Sequence, residues 1–150
     1  MTFSYPGWRN GFDLAVWRRV WLKTSKAPTI LVVDDDAIVA EMYRLALVRG
    51  GYDVVVAKDG PTALQMAATS EPALIFLDIR MPHMDGMEVL QRLAADVALR
   101  LIPVVMLSNY DDHNFINRSL RLGAKEYIVK ISIQPAELAT VASRWIRPAN

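Results

Sequence analysis

Four apolar segments of this sequence end in polar side chains that could act on a phosphoryl group or a metal ion. These side chains are Asp34-Asp35-Asp36, Asp78, Ser108-Asn109 and Lys130. Close carboxylates repel one another and raise each other's pKa unless a cation neutralises them, and a hard divalent ion such as Mg²⁺ does so with few protein oxygens. Lys130 and the Ser108 hydroxyl could then contact an anionic group on Asp78. The residue types therefore indicate phosphoryl chemistry on a carboxylate.

Several neighbouring residues have a structural interpretation instead. Asp36 is expected to cap the helix that follows it, because an aspartate oxygen accepts hydrogen bonds from the free N–H groups of a helix's first turn. Asp85-Gly86 is expected to form a turn that starts another helix. Three methionines near Asp78 are expected to pack in the core rather than to bind metal. They are Met81, Met84 and Met87.

Apolar runs and helical patterns alternate along the chain from Thr29 onward. The runs that predict strands are 29–33, 52–57, 73–77, 102–107 and 127–130. The patterns that predict helices are 37–49, 59–70, 86–96, 111–122 and 135–147. Five β/α units with short connections indicate a parallel sheet with helices on both faces. Ligands bind at the carboxyl ends of the strands in such a sheet, so the polar residues are expected at one edge.

The first predicted helix, 37–49, rests on an apolar periodicity. Its apolar residues recur every three or four positions, which is the spacing of one helical stripe. They are Ile38, Met42, Leu45 and Val48. Gly50-Gly51 is the expected C-terminal stop.

Composition excludes several classes of protein. The 150 residues suffice for one domain and a small appendage, and 53% hydrophobic with 22% charged residues is a globular balance. The chain has no cysteine, which excludes disulfides and thiolate sites and suits a reducing cytosol. Its two histidines cannot form a multi-histidine metal centre. No apolar run approaches the roughly 18 residues that a transmembrane helix needs.

Residues 1–28 stand outside the repeat of strands and helices. They carry five basic residues and one acidic residue, a local charge of +4, whereas the rest carries 12 basic and 15 acidic residues, or −3. The acidic body argues against direct binding of nucleic acid. Residues 12–23 could form a short basic amphipathic helix that bears Trp17 and Trp21. Three roles stay open: docking on a partner or, less favoured, an anionic membrane; packing on the protein's own body; or upstream sequence from a mis-chosen start codon.

Four stretches carry a resemblance to a known family. They are ILVVDDD, LIFLDIRMPHMDG, IPVVMLSN and GAKEYIVK. Residues 29–147 resemble the receiver domain of response regulators, the phosphoacceptor module of two-component signalling. Because almost nothing follows the last predicted helix, the free-standing chemotaxis type is expected. The resemblance implies a doubly wound, flavodoxin-like α/β fold with strand order 2-1-3-4-5 and five helices, residues 1–28 as an extension and 148–150 as a tail.

The resemblance also implies a role for each matching residue. Asp78 matches the phosphorylated aspartate, and Asp35 matches the direct ligand of Mg²⁺ (or Mn²⁺). Asp34 would act on the metal mainly through water, and Asp78 and the backbone carbonyl of Arg80 would complete the protein's contacts with it. Three residues would respond to the phosphoryl group. They are Ser108 as the switch hydroxyl, Lys130 as the phosphate partner and Tyr127 as the aromatic that turns inward.

The sequence departs from the family's pattern at several positions. Ile131 stands where proline usually follows the lysine, so the Lys130–Ile131 peptide is expected to be trans and the next loop to take another path. Asn109 replaces the usual small residue after the switch hydroxyl. Arg80 and Tyr110, two residues beyond Asp78 and Ser108, are both large at positions that border the phosphoryl group. They are expected to hinder in-line attack by water and to lengthen the life of the acyl phosphate; the alternative is that both side chains turn into solvent.

The resemblance implies a phosphorylation switch rather than a conventional enzyme. A sensor histidine kinase or a phosphotransfer protein would donate to Asp78 in a Mg²⁺-dependent step that the receiver itself supports, as it supports the later dephosphorylation. The surface of helix four, strand five and helix five would then change. A downstream protein in the cytoplasm would recognise the new surface.

Two other functions compete with this interpretation. A phosphohydrolase of the haloacid-dehalogenase type uses an aspartate nucleophile, and Asp34-Asp35-Asp36 contains the D-x-D that this family places after a strand. Ile38 fits that family's pattern only loosely, and the sequence has no cap domain. The other candidate is a pseudo-receiver that serves only as a binding module, and the intact acidic set argues against it.

Overall fold

The computed structural model describes residues 26–146, which form five strands and five α-helices. The strands are β1 (Thr29–Val33), β2 (Asp53–Ala57), β3 (Leu74–Leu77), β4 (Val104–Ser108) and β5 (Glu126–Val129). The helices are α1 (Ala37–Arg49), α2 (Gly60–Ser70), α3 (Gly86–Ala95), α4 (His113–Arg121) and α5 (Leu138–Trp145). Short 3-10 turns lie at Leu99–Leu101, Lys130–Ser132 and Pro135–Glu137.

The five strands form one parallel sheet in the order β2-β1-β3-β4-β5. This order confirms the predicted flavodoxin-like, doubly wound α/β architecture. Val33, the last residue of β1, pairs in register with Ala57 of β2 and with Leu77 of β3. The carboxyl ends of the central strands therefore finish level with one another. The switch in strand order on either side of β1 opens a crevice at that edge.

Two apolar clusters hold the helices to the two faces of the sheet. Successive strand residues point to opposite faces, so Leu31 and Leu77 pack with α2, α3 and α4, whereas Ile30 and Phe76 pack with α1 and α5. The strand residues of β1, β3 and β4 are almost completely buried. This is why these strands read as continuous apolar runs in the sequence.

Helix α1 buries a different face from the one its sequence periodicity marks. Ala40, Tyr43 and Leu47 lie against the sheet. The four residues of the apolar stripe are exposed: Ile38 by 77%, Met42 by 46%, Leu45 by 45% and Val48 by 45%. The helix is apolar on more than one side, so its periodicity could not show which side the sheet covers.

Differences from the predicted elements are confined to their ends. Strand β4 starts at Val104 rather than at residue 102, and it includes Ser108. Lys130 lies in a 3-10 turn instead of ending β5, and residues 135–137 form a 3-10 turn before α5. All peptide bonds of residues 26–146 are trans, as expected for Lys130–Ile131.

Several local structural predictions are confirmed. Asp36 caps α1 by accepting hydrogen bonds from the N–H groups of Ile38 and Val39 at 3.0 and 3.2 Å. Asp85 caps α3 in the same manner, at the turn predicted there. The three methionines near Asp78 pack with the core. Met81 and Met87 are buried, and Met84 is half-buried against the same cluster.

The structure describes the chain only from Lys26 at the amino end and as far as Ile146 at the other. The amphipathic helix predicted at 12–23 and the tail 148–150 therefore lie outside the described residues. Pro28 joins the fold directly, because its carbonyl accepts a hydrogen bond from the N–H of Asp53 at 3.0 Å. No described helix combines the length and apolarity needed to cross a membrane.

Candidate functional site

The polar residues that end the strands line a single cavity of about 510 Å³. Asp34 and Asp35 follow β1, Asp78 follows β3, Ser108 ends β4 and Lys130 follows β5. The sheet brings them together because parallel strands place all their carboxyl ends at one edge. Residues as far as 96 positions apart in the sequence thus share one site, as the contact between Asp34 and Lys130 shows.

Three carboxylates form the acidic part of this cavity. Asp34, Asp35 and Asp78 can each offer an oxygen, and these oxygens all lie within 4.8 Å of one another. Asp34 and Asp78 are buried, whereas Asp35 is exposed at the mouth. Such a set of hard oxygen donors suits Mg²⁺ or Mn²⁺ with open positions for water. The residues therefore fit a divalent cation.

Lys130 supplies the positive charge of the site. Its Nζ donates a hydrogen bond to Asp34 Oδ2 at 2.7 Å and lies 3.2 Å from Asp78 Oδ2. Burial lowers the pKa of Lys130, but the hydrogen bond from Lys130 to Asp34 and the charge of Asp78 outweigh burial, so the net shift is upward. The ammonium group therefore keeps its charge beside the carboxylates.

Asp78 is oriented by contacts on both carboxylate oxygens. Its Oδ1 accepts a hydrogen bond from the N–H of Ile79 at 2.8 Å, and its Oδ2 faces Lys130. Burial raises the pKa of Asp78, the charge of Lys130 opposes this, and the charge of Asp34 adds to it, with a net upward shift. The carboxylate is held in a fixed direction at the cavity, where an electrophilic phosphorus could reach it.

Ser108 and Tyr127 are linked through one residue, Tyr110. The Ser108 hydroxyl is buried and accepts a hydrogen bond from the backbone N–H of Tyr110 at 3.1 Å. The Tyr127 hydroxyl donates to the backbone carbonyl of Tyr110 at 2.7 Å. Tyr127 is half-buried and packs against the core cluster beneath α4. A displacement of Ser108 therefore has a direct path to Tyr127.

Arg80 and Tyr110 contact each other across the mouth of the cavity. The guanidinium carbon of Arg80 lies 5.1 Å from the centre of the Tyr110 ring, the geometry of a cation–π pair. Phe115 of α4 supports the same ring at a centroid distance of 5.5 Å. Sequence reasoning placed both large side chains at the site, but it did not predict that they pair.

Sequence reasoning also missed an apolar wall of the cavity. Val39, Met42 and Tyr43 of α1 line it together with Ile131, which is 90% exposed. This wall could have been predicted from the sequence. Helix α1 starts directly after the three aspartates, so its first turns must pass beside the site. An apolar wall next to a charged centre suits contact with another protein surface.

Asp36 lies outside the carboxylate cluster. It also lines the cavity, but it is exposed, and its Oδ1 is occupied by the first turn of α1. The D-x-D of a phosphohydrolase would need the side chains of both Asp34 and Asp36 at one reaction centre. The capping role of Asp36 therefore argues against that competing function.

The comparisons with known proteins agree with this fold. Residues 30–143 match the family described as the response regulator receiver domain. The chain is 40% identical over 101 residues to the alkaline phosphatase synthesis transcriptional regulatory protein PhoP of Bacillus subtilis. It is 40% identical over 119 residues to the DNA-binding response regulator MtrA of Mycolicibacterium paratuberculosis. The chemotaxis protein CheY4 of Vibrio cholerae superposes with a TM-score of 0.74 at 27% identity.

The share of each chain that is covered differs between these relatives. The PhoP match takes in 67% of this chain and 41% of PhoP, and the MtrA match takes in 79% of this chain and 51% of MtrA. The CheY4 superposition covers 79% of this chain and 98% of CheY4. The chain thus spans about half or less of the length of PhoP and of MtrA. With most of its length matched and its fold shared, the chain belongs to the response regulator receiver domain family of two-component signalling proteins.

Proposed function

We propose that this chain is a phosphorylation switch whose acceptor is Asp78. The observation that supports this most directly is the environment of its carboxylate. Asp78 is buried, lies 3.2 Å from Lys130 Nζ, and shares a cation-sized space with Asp34 and Asp35. One oxygen of Asp78 would attack the phosphorus of a phosphohistidine or a small phosphodonor. A P–O bond forms as the bond to the leaving nitrogen or oxygen breaks.

Asp34, Asp35 and Asp78 would hold Mg²⁺ or Mn²⁺, with the Arg80 carbonyl as a further ligand. The cation, when bound, neutralises charge on the transferring phosphoryl oxygens. Lys130 is already within contact distance of Asp78 Oδ2, so its ammonium group can pair with a phosphoryl oxygen after transfer. The cation that the carboxylates would hold and the ammonium group of Lys130 would together offset the repulsion between the carboxylates and an anionic phosphoryl group.

The signal would leave the site through Ser108 and Tyr127. As the Ser108 hydroxyl turns to the phosphoryl group, it loses the hydrogen bond from the N–H of Tyr110. The Tyr110 backbone also holds the Tyr127 hydroxyl through its carbonyl. We expect the surface of α4, β5 and α5 to change in consequence, and a downstream protein to bind it. The donor would be a sensor histidine kinase or a phosphotransfer protein.

The proposal is tested by incubating the full chain with Mg²⁺ and acetyl phosphate and measuring the intact mass. We expect a gain of one phosphoryl group that chelation of Mg²⁺ prevents and that Asp78→Asn abolishes. Asp53→Asn is the matched control, because Asp53 is exposed at the start of β2, at the opposite edge of the sheet. Phosphorylation that persists in Asp78→Asn would refute the assignment of the acceptor.

A second measurement separates a switch from a pseudo-receiver. Beryllofluoride with Mg²⁺ forms a stable mimic of the acyl phosphate, and NMR can follow the signals of Tyr127 and of α4. We expect shifts at both when the mimic binds and none with Mg²⁺ and fluoride alone. A chain that binds neither the mimic nor phosphate at Asp78 would be a binding module only.

A further inference from the structure

Tyr43 of α1 brings a hydroxyl group to a wall of the cavity that is otherwise apolar. The residue is only 4% exposed, and it packs in the apolar cluster that includes Ile30, Leu47 and Leu138. Among the buried members of that described cluster, it alone carries a polar side-chain atom. A leucine or a phenylalanine would fill such a position without burying a hydroxyl, which costs free energy unless the group meets a polar partner. Packing alone therefore does not account for the hydroxyl.

The path of α1 directs this hydroxyl toward the phosphorylation cavity. Side chains of a helix lean toward its amino end, and α1 begins directly after the three aspartates that follow β1. Tyr43 lies one helical turn beyond Val39, and both residues line the cavity. A tyrosine at this position can keep its ring in the core while its hydroxyl reaches the charged site.

The charges of the site act on the Tyr43 hydroxyl. Burial raises its pKa, the charge of Lys130 opposes this rise, and the charges of Asp34 and Asp78 add to it, with a net upward shift. The hydroxyl therefore stays protonated near neutral pH and keeps both its donor hydrogen and its acceptor lone pairs. Of the three charged groups, Lys130 has the largest effect, which indicates that its ammonium group is the nearest of them.

The ammonium group of Lys130 has a donor to spare. It carries three hydrogens, and the described contacts account for two, one to Asp34 Oδ2 at 2.7 Å and one toward Asp78 Oδ2 at 3.2 Å. Neither the third hydrogen nor the Tyr43 hydroxyl has a hydrogen-bond partner within residues 26–146. Both belong to residues that line the same cavity. A hydroxyl oxygen is a suitable acceptor for that hydrogen.

We propose that Tyr43 is a positioning residue for Lys130 during phosphoryl transfer. As the ammonium group turns from Asp34 toward the phosphoryl oxygens on Asp78, the Tyr43 hydroxyl oxygen accepts one of its hydrogens. The Lys130 side chain is only 10% exposed, so water has little access to replace the bond lost at Asp34. The bond to Tyr43 replaces it and holds the flexible lysine in one direction. This inference rests on the proposed function, because Lys130 turns only toward a phosphoryl group.

The inference is tested with Tyr43→Phe in the full chain. This change removes the hydroxyl and keeps the ring that packs in the core. We expect phosphorylation by acetyl phosphate and Mg²⁺ to slow roughly three- to tenfold, the range that the loss of one hydrogen bond produces. Tyr52→Phe is the matched control, because Tyr52 is half-buried against the same apolar cluster but precedes β2, at the opposite edge of the sheet. Its rate should equal that of the wild type.

A double-variant cycle shows whether the hydroxyl acts through Lys130. In a Lys130→Met chain, Tyr43→Phe should no longer change the rate, because the ammonium group that it positions is gone. Equal slowing in both backgrounds, or no slowing in the wild-type background, would overturn the inference and leave the proposed function standing. A wild-type chain that takes up no phosphoryl group would instead overturn the proposed function, and the inference with it.

A spectroscopic readout does not depend on the rate of phosphorylation. The ammonium signal of Lys130 is followed by heteronuclear NMR in the chain that carries beryllofluoride and Mg²⁺, since a hydrogen-bonded ammonium group exchanges its hydrogens slowly with water. We expect a sharp signal in the wild type and in Tyr52→Phe, and a signal broadened by faster exchange in Tyr43→Phe. An equally sharp signal in Tyr43→Phe would contradict the hydrogen bond. This readout decides the matter even if Lys130→Met does not fold.

Discussion

Asp78 shares one small volume with two further carboxylates and a single ammonium group. Because its pKa is raised by burial, the folded protein holds the Asp78 proton more tightly than the unfolded chain does. Ionisation of Asp78 therefore costs the folded state free energy. This cost appears as pH rises through the ordinary carboxyl range, and it is absent at lower pH, where the group is protonated in both states.

Asp78→Asn should consequently raise the free energy of unfolding at neutral pH in the presence of a chelator. We expect a gain of about 1–3 kcal/mol, because the amide carries no charge for burial to penalise. Urea unfolding measures it, with Asp53→Asn as the control. The gain should shrink as pH falls toward about 4 and be absent below it, because Asp78 of the folded protein takes up its proton above the ordinary carboxyl range. A gain that does not change with pH would contradict the electrostatic cause.

The Arg80–Tyr110 pair should set how long the acyl phosphate lasts. Both side chains lie at the mouth of the cavity, and their contact keeps them over it. A cation–π pair is worth about 0.5–1 kcal/mol at an exposed site, so Arg80→Ala with Tyr110→Ala should speed dephosphorylation roughly two- to fivefold. The rate is measured as the decay of the phosphorylated protein after dilution into an excess of buffer that contains no chelator. Arg92→Ala is the control. An unchanged lifetime of the acyl phosphate in the double variant would contradict a role of the Arg80–Tyr110 pair in slowing dephosphorylation.

The candidate residues of the site were predictable because strand ends are visible in a sequence. Asp34, Asp78 and Lys130 each follow an apolar run, and parallel topology places such positions together. The pairing of Arg80 with Tyr110 was not predictable, since it depends on the path of two loops. Long side chains in loops have many rotamers, and only the folded geometry selects one of them.

Helix α3 begins in direct contact with the end of strand β3. A Cβ on Gly86, the first residue of α3, would lie 2.0 Å from the backbone oxygen of Asp78. The absence of a side chain therefore allows the helix to start beside Asp78, the residue that follows β3. This close approach fixes the loop from Ile79 to Asp85 as the rim of the cavity. The N–H of Gly86 closes that loop by donating to the carbonyl of Ile79 at 2.7 Å.

Gly86→Ala should displace this backbone and lower both stability and phosphorylation. We expect a loss of about 2–3 kcal/mol, as for other overpacked positions, measured by urea unfolding together with the acetyl phosphate assay. Gly60→Ala is the matched control, because Gly60 is likewise the first residue of its helix, α2. The three atoms nearest to a Cβ there, at 2.7–2.8 Å, all belong to the side chain of Met84, so Gly60→Ala displaces a side chain instead of the backbone and should cost less. Equal losses in the two variants would refute the backbone explanation.

At the level of elements, the sequence predicted every strand and helix of residues 29–146 to within a few residues. Alternating apolar runs and helical patterns identify β/α units well, because parallel strands are buried on both faces. The orientation of α1 was the exception, since Ile38 and Leu45 lie on its exposed side. Periodicity reports that apolar residues share a side, but it does not report whether the sheet or another segment covers that side.

The whole described molecule has its two apolar clusters on opposite faces of one sheet and its charged site at one edge. A cation that binds only the folded state must therefore stabilise the entire domain, because the carboxylates meet only when β1 and β3 are paired. Mg²⁺ at a hundredfold excess over its dissociation constant should add about 2.7 kcal/mol to the free energy of unfolding. Thermal unfolding at rising Mg²⁺ concentration measures this, and Asp35→Asn should remove most of the effect. Equal stabilisation of wild type and Asp35→Asn would place the cation elsewhere.

Met42 lines both the cavity around Asp78 and a groove between α1 and the start of α5. A side chain that borders two sites can couple their occupancies, and thermodynamic linkage requires any such coupling to be reciprocal. If phosphorylation weakens whatever occupies the groove by some factor, removal of that occupant favours phosphorylation by the same factor. A partner could then raise the phosphorylated fraction merely by competing for the groove, without touching Asp78. Through Met42, a partner that carries no phosphoryl group would thus change the phosphorylated fraction of the receiver.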